Sequence, residues 1–262
     1  MKEELSPQDH TNSTGLESGA STTPKPATVT IQLPRSRPIV TYSLLSITIL
    51  AFILQNLSDS ALGIDWPFLL GAKINELIQQ GEVWRLLTPI LLHGSIPHIL
   101  FNMYALYSIG PEIERTYGHR KFLLLYLTAG FTGITASFLL SPNPSIGAST
   151  SIFGLVAAEG IFIYRNRFLF GKRARSMLSN IGFIVLINFL LGLSPGIDNW
   201  GHLGGLVGGL LFAWFIGPIF SLSGTYPEFK LVDKHNKSRD MWTFFLIVIF
   251  TASLDIIKII AR

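Results

Sequence analysis

Residues 200–209 read Trp200-Gly201-His202-Leu203-Gly204-Gly205-Leu206-Val207-Gly208-Gly209, and the apolar run they open carries no Asp, Glu, Lys or Arg as far as residue 220. At a rise of 1.5 Å per residue, about 20 such residues cross a bilayer as a helix. On that helix His202, Gly205 and Gly209 stand at i, i+3 and i+7, a single stripe with an imidazole at its head and no side chain below it. Small-residue stripes let membrane helices approach backbone to backbone. Two readings of the stripe stay open: a Gly-x-x-x-Gly dimer contact with a satisfied histidine, or a histidine pressed against a polar group on a neighbouring span.

Working outward, seven segments reach or approach span length: 39–57, 95–113, 121–140, 149–165, 179–194, 201–220 and 241–260. Only 14% of the 262 residues are Asp, Glu, Lys or Arg, against roughly 25% in a water-exposed chain, so lipid rather than water is the natural solvent and an all-α membrane protein is expected. The absence of cysteine excludes disulfides, thiolate metal sites and cysteine nucleophiles. Residues 1–38 are too polar to bury a core and read as a disordered tail. Glu3, Glu4, Asp9 and Glu17 argue against a targeting peptide there. The 58–94 connection carries Trp66, Pro67, Trp84 and Pro89 and is expected to lie partly in the membrane interface. A linker, 221–240, leads to a seventh transmembrane helix at 241–262.

The basic residues orient the chain. Lys2, Lys25, Arg35 and Arg37 lie in the tail, Arg115, Arg120 and Lys121 between spans 2 and 3, Arg165, Arg167, Lys172, Arg173 and Arg175 between spans 4 and 5, and Lys230, Lys234, Lys237 and Arg239 between spans 6 and 7. Only Lys73, Arg85, Lys258 and Arg262 fall on the other side, so the tail and linker are assigned to the cytoplasm and the C-terminus to the outside. The net charge of +4 thus reports orientation, not nucleic-acid binding. Spans 2, 4 and 6 then begin at the outer face.

The polar residues gather at those three beginnings. His98 and Asn102, four apart, share a face of span 2, whereas His93 would point about 140° away on an ideal helix. A polar interhelical contact would account for the pair. Span 4 opens Gly147-Ala148-Ser149-Thr150-Ser151-Ile152-Phe153-Gly154 after the turn-forming Pro142-Asn143-Pro144-Ser145. Small-residue packing is one reading. The other is a serine nucleophile at a helix start, where unsatisfied N–H groups stabilise a developing oxyanion. If span 6 crosses span 4, with Ser149, Ala157 and Gly160 on a common side, Ser149 and His202 come within hydrogen-bond reach. His98, Asn102, Ser149 and His202 share a depth, which separate packing accidents would not produce.

With these residues in view, the chain from about 39 to 220 resembles the rhomboid intramembrane serine proteases. The resemblance rests on Trp84-Arg85, His98-x-x-x-Asn102, Gly110-x-x-x-Glu114-x-x-x-Gly118, Gly147-x-Ser149, and His202 above Gly205 and Gly209. It implies a six-helix rhomboid core, 39–220, followed by one C-terminal transmembrane helix. In that core Ser149 attacks a scissile carbonyl and His202 takes its proton, with no metal and no cofactor. His98, Asn102 and the Ser149 N–H form the oxyanion hole, and Phe153 lies against the imidazole. Trp84 and Arg85 brace the interfacial loop, and Glu114 holds the loop at the cytoplasmic end of span 2. Gly147, Gly205, Gly209 and His93 are supporting residues. The implied partners are transmembrane segments of substrate membrane proteins that unwind near the outer face, admitted from the bilayer between spans 2 and 5 under a cap at 195–200. A multi-pass protein of a bacterial plasma membrane is expected, with a homodimer an open arrangement.

Thr150 departs from the pattern, since the family usually has glycine after the nucleophile. A β-branched residue there could crowd the oxyanion site, and it is the best support for the alternative function, a catalytically inactive rhomboid-like binding or quality-control factor. Asp198, four residues before His202, is the only acid near the outer starts of spans 4 and 6, so a dyad is expected rather than a triad. Glu159 lies about 280° around span 4 from Ser149 and reads as structurally paired or snorkelling. Asp255 and Lys258 read as a local pair. A metal or haem site on His93, His98 and His202 lacks a His-Glu-x-x-His motif and any embedded carboxylate. A transporter would carry internal repeats, and none is seen.

Overall fold

Helices dominate the described residues, which are 37–224, 229–235 and 237–261 of the computed structural model. The tail expected at 1–38 lies outside them, apart from its last two residues. Helix α1 (Ile39–Leu62) leads into a loop that folds as α2 (Trp66–Gly71), α3 (Asn75–Gln79) and two 3-10 turns, Val83–Leu86 and Thr88–Leu91. Then follow α4 (Ile96–Tyr117), α5 (His119–Leu140), α6 (Ser149–Arg165), a short α7 (Arg167–Phe170), α8 (Arg173–Leu191) and α9 (Asn199–Ile216). The stretch read as a linker contains a small antiparallel pair, β1 (Phe220–Ser223) and β2 (Lys230–Asp233), in register Phe220 to Asp233. It delivers the chain to α10 (Lys237–Ile260).

By length and composition alone, α1, α5, α8 and the Ser238–Ile260 part of α10 are long and apolar enough to cross a membrane. Helices α4, α6 and α9 fall outside that group, and they carry His98, His202, Asn102, Ser149 and most of the glycines singled out above. Asn102 and His202 are buried, which lets polar groups sit on these helices. The fully buried Phe122, Leu125, Tyr126 and Phe138 of α5, Leu155 of α6 and Phe212 of α9 form the centre of the core.

Helix α9 is wedged between α5 and α6, and its glycines serve both neighbours. A side chain on Gly205 would overlap the Thr150 carbonyl, and one on Gly209 would overlap the backbone of Gly154, so this face lies directly on α6. Gly204 and Gly208 likewise leave no room against Thr132 of α5. The stripe is therefore consumed within the chain, which removes the dimer reading of Gly205 and Gly209. The face that α6 turns to α9 is Thr150 and Gly154; Gly160, expected there, faces Ile181 of α8 instead.

The start of α1, the end of α4 and the start of α5 meet at Glu114. Pro38 precedes α1 without a side-chain cap, so the first N–H groups of that helix need an acceptor from elsewhere. Glu114 supplies it, accepting from the N–H of Val40 (2.8 Å) and of Thr41 (2.7 Å) and from the Thr41 hydroxyl (2.6 Å). His119 Nδ1 lies 2.5 Å from the same carboxylate. Gly110, one turn earlier on α4, clears space for Thr41, whose Cγ2 would be 2.7 Å from an added Cβ. Gly118, at φ +76°, makes the turn from α4 into α5.

Helix α10 docks at both ends. Lys121 forms an ion pair with Asp240 (2.8 Å) near the start of α10. Further along, the Thr135 hydroxyl of α5 donates to Asp255 Oδ2 (2.9 Å). This corrects the expected Asp255–Lys258 pair, because the carboxylate is buried against α5 and forms no ion pair among the described residues. Glu159, expected to be paired or to snorkel, makes no side-chain hydrogen bond or ion pair among the described residues.

Replacing Glu114 by Ala strands two N–H groups at the start of α1. The expected loss is about 3 kcal/mol of stability, read as a lower thermal unfolding midpoint in detergent, while Glu112→Ala on the exposed face leaves the midpoint unchanged.

Candidate active site

The site forms where the N-terminal ends of α6 and α9 cross. Ser149 is the first residue of α6, and His202 lies in the first turn of α9. The His202 Nε2 and Ser149 Oγ atoms are 2.9 Å apart. Phe153, one turn along α6, stacks on the imidazole with ring centroids 4.4 Å apart and planes 18° from parallel. Phe189 of α8 meets the same phenyl edge-on at 5.4 Å.

The approach to Ser149 explains why the serine begins a helix. Gly147 has φ +131°, a conformation that a side chain disfavours, and its N–H donates to the Pro89 carbonyl (2.9 Å). An added Cβ at this position would lie 2.7 Å from His98 Nε2. That nitrogen therefore looks across Gly147 toward the serine. The Gly94 N–H donates to His98 Nδ1 (3.5 Å), so the hydrogen-bond pattern assigns the ring proton to Nε2, the side that faces the site. Ser95 caps α4 by accepting from the His98 N–H (3.3 Å). Asn102 donates one amide hydrogen to the His98 carbonyl (3.0 Å) and keeps a second.

His93 sits differently from the ideal-helix projection. Residues 93–95 precede α4, so the chain folds back and brings the His93 and His98 rings to 4.8 Å, edge to face. His93 Nε2 accepts from the Ala148 N–H (3.4 Å), beneath the serine. Burial, reinforced by the His98 ring, pushes the His93 pKa down to about 3, so it is a neutral acceptor throughout the physiological range.

Trp84 and Arg85 act within the interfacial loop. Arg85, buried, donates to the carbonyls of Ala72 (2.8 Å) and Leu69 (2.7 Å) and pairs with Glu82 (2.6 Å). The Trp84 indole donates to the Leu70 carbonyl (3.0 Å).

Two supports of this loop escaped the sequence reading. Lys73, fully buried, donates from Nζ to the carbonyls of Ser141 (2.7 Å) and Asn143 (2.8 Å), while its backbone pairs with Ser145. The interfacial loop is thereby fastened to the turn that presents Ser149. Gln55, buried in α1, accepts from the His93 N–H (3.0 Å) and donates to Asp65 (2.9 Å). The only sequence signal for Lys73 was its rarity, as one of four basic residues outside the tail and the basic loops.

Asp198 caps α9. Its Oδ1 accepts from the Gly201 N–H (3.0 Å), and its carbonyl accepts from the His202 N–H (3.1 Å). His202 Nδ1 has no hydrogen-bond partner among the described residues. Thr150 does not point at the oxyanion side: its buried side chain fills the notch left by Gly133 of α5, whose added Cβ would sit 2.6 Å from Thr150 Cβ. The crowding expected of this departure is absorbed by a glycine on a different helix.

Residues 80–219 match the Rhomboid domain family. The chain is 45% identical to the Rhomboid protease GluP of Bacillus subtilis (strain 168) over 182 residues, which cover 69% of this chain and 35% of that protein. It is 34% identical over 194 residues to RHOMBOID-like protein 9, chloroplastic, of Arabidopsis thaliana, covering 71% of this chain and 44% of the relative. The Putative rhomboid protease YdcA of Bacillus subtilis is 34% identical over 140 residues, covering 52% of this chain and 69% of the relative. The chain thus spans less than half the length of the first two.

Lys73 makes the loop anchor pH-sensitive. Burial lowers its pKa from 10.5 to about 8, against the opposing pull of Asp198 and Glu76. Between those pH values the unfolded chain binds the extra proton, so stability rises with pH across the window. Below it, keeping the charge buried costs on the order of 3 kcal/mol. Lys73→Met, which has no such proton, is expected to lower the thermal midpoint through the lost carbonyl contacts, and the gap to wild type widens from pH 8 to 10.5.

Proposed function

Because the chain belongs to the rhomboid family, we propose that it is an intramembrane serine endopeptidase that hydrolyses peptide bonds in or near transmembrane segments with a Ser149–His202 dyad. The observation that carries this reading is the 2.9 Å contact between Ser149 Oγ and His202 Nε2, with Phe153 stacked on the ring. The Ser149 hydroxyl adds to the scissile carbonyl as His202 Nε2 takes its proton. The resulting oxyanion accepts hydrogen bonds from His98 Nε2–H, the free Asn102 N–H and the Ser149 N–H at the start of α6. The intermediate collapses as His202 hands the proton to the leaving amine, and an acyl ester remains on Ser149. Water, activated by the same imidazole, then releases the acyl product and restores the serine.

A dyad suits these surroundings. Asp198 is engaged as a helix cap, while Phe153 and Ser149 hold the imidazole in plane. Water must come from the outer side, where Ser149 and His98 are partly exposed. The orientation that makes this the outside, with α1 entering from the cytoplasm of a bacterial plasma membrane, follows from the distribution of Lys and Arg. The domain division that goes with this reading is a 39–220 core with an interfacial loop at 58–94, a linker at 221–240 and a seventh helix.

Substrate spans reach the dyad from the bilayer between α4 and α8. Helix α8 buries only Ala174, so it can swing at little packing cost, and a helical substrate must unwind to offer an amide. Small side chains at the cut favour that unwinding.

In detergent with a single-span test substrate, Ser149→Ala and His202→Ala are each expected to lose at least about a thousandfold in cleavage rate, and His98→Ala about a hundredfold or more. Fluorophosphonate labelling should vanish in Ser149→Ala. Cleavage that survives both dyad substitutions would overturn the reading. Disulfide cross-links placed between α4 and α8 are expected to abolish cleavage of the membrane substrate and to spare a short soluble peptide; undiminished cleavage of both would remove the lateral route.

A further inference from the structure

At its basic end helix α8 turns one side outward. Of its 19 residues only Ala174 is buried, and Lys172, Arg175, Ser176, Ser179, Asn180 and Phe183 are exposed. Lys172, Arg175, Ser176, Ser179, Asn180 and Phe183 line one groove of about 670 Å³. Their spacing of three to four residues places them in succession along a single face. None of the five polar or charged members has a hydrogen bond or ion pair among the described residues.

That arrangement is costly in a bilayer. Hydroxyls and an amide facing lipid lose their water partners and need others. Asn180 is about 10 Å along the axis from Arg173, beyond easy reach of bulk water. Descending the groove, the groups run from two cations to two hydroxyls, then a carboxamide, then a phenyl ring. A glycerophospholipid descends in the same order, from phosphate through glycerol and ester oxygens to acyl chain. The groove has the volume of a small-molecule site, enough for a headgroup and its ester linkages.

We propose that this face of α8 binds an anionic glycerophospholipid of the leaflet around it. The phosphate lies between Lys172 and Arg175. The glycerol and ester oxygens accept hydrogen bonds from Ser176, Ser179 and the Asn180 amide. The first methylenes of an acyl chain rest on Phe183. The proposal depends on membrane placement and not on catalysis, so it stands or falls separately from the dyad. Charge complementarity selects the occupant, since a neutral apolar segment would leave both cations and the amide unmatched.

The test uses the full chain in phosphatidylcholine nanodiscs carrying trace photoactivatable phosphatidylglycerol or, in parallel, photoactivatable phosphatidylcholine. Illumination, digestion and mass mapping are expected to place the phosphatidylglycerol adduct within residues 172–183, several-fold above the phosphatidylcholine adduct. Each cation near an anionic group contributes roughly fivefold, so Lys172→Gln combined with Arg175→Gln should cut the adduct about twentyfold, while Lys172→Arg retains it. Asn180→Leu should reduce it with both cations in place. On the unaltered protein, unlabelled phosphatidylglycerol competes and millimolar inorganic phosphate does not, which separates a lipid from a free anion. Equal labelling by the two probes, competition by inorganic phosphate, displacement by a substrate span alone, or an adduct indifferent to the double substitution would each overturn the proposal.

Discussion

The arrangement rests on one backbone crossing. Gly205 and Gly209 of α9 lie on Thr150 and Gly154 of α6 with no side chain between them. Inside a bilayer there is no hydrophobic drive to hold two helices together, so contact at this range depends on van der Waals packing and close fit. The crossing also sets the height and separation of two side chains near the N-terminal ends of both helices. A shift of 1 Å there would take the serine out of hydrogen-bond reach of the imidazole, a displacement that commonly costs about a hundredfold in rate. Helix α5 reinforces the fit from the other side, where Gly204 and Gly208 meet Thr132 and Gly133 receives Thr150.

A second layer of polar contacts holds the irregular backbone that leads to Ser149. Non-helical chain at membrane depth is tolerable only where protein satisfies its amides. Here the Pro89 carbonyl takes the Gly147 N–H, His93 takes the Ala148 N–H, and Lys73 serves the carbonyls of Ser141 and Asn143. Gln55 and Arg85 extend the support into α1 and the interfacial loop. The serine is thus presented by a loop whose hydrogen bonds are mostly supplied by residues distant in sequence.

Hydrophobic runs and glycine spacing made the helices and the α9 stripe readable in the chain itself, because those patterns repeat locally. The contacts that needed tertiary information were missed for identifiable reasons. His93 was projected onto a helix that does not begin until Ile96. Helical spacing puts Gly160 on a common side of α6 with Ser149, whereas Thr150 and Gly154 meet α9 and Gly160 faces Ile181 of α8. Asp255 has a basic neighbour at helical spacing, yet burial turns it to Thr135 of α5. Lys73 and Gln55 carry no local pattern, since a single polar residue signals nothing until its partners are known. Thr150 looked like a defect because Gly133, seventeen positions earlier, gave no hint that it was the matching half.

The uneven hydropathy of the helices bears on how the chain is made. Helices α1, α5, α8 and α10 are long and apolar enough to cross a bilayer by length and composition alone, whereas α4 carries Glu112, Glu114 and Arg115 and the 17-residue α6 carries Glu159. Those polar groups are costly in lipid until a neighbouring helix shelters them. For a nascent polypeptide leaving the ribosome, insertion of these segments and tertiary assembly are therefore expected to be coupled in time.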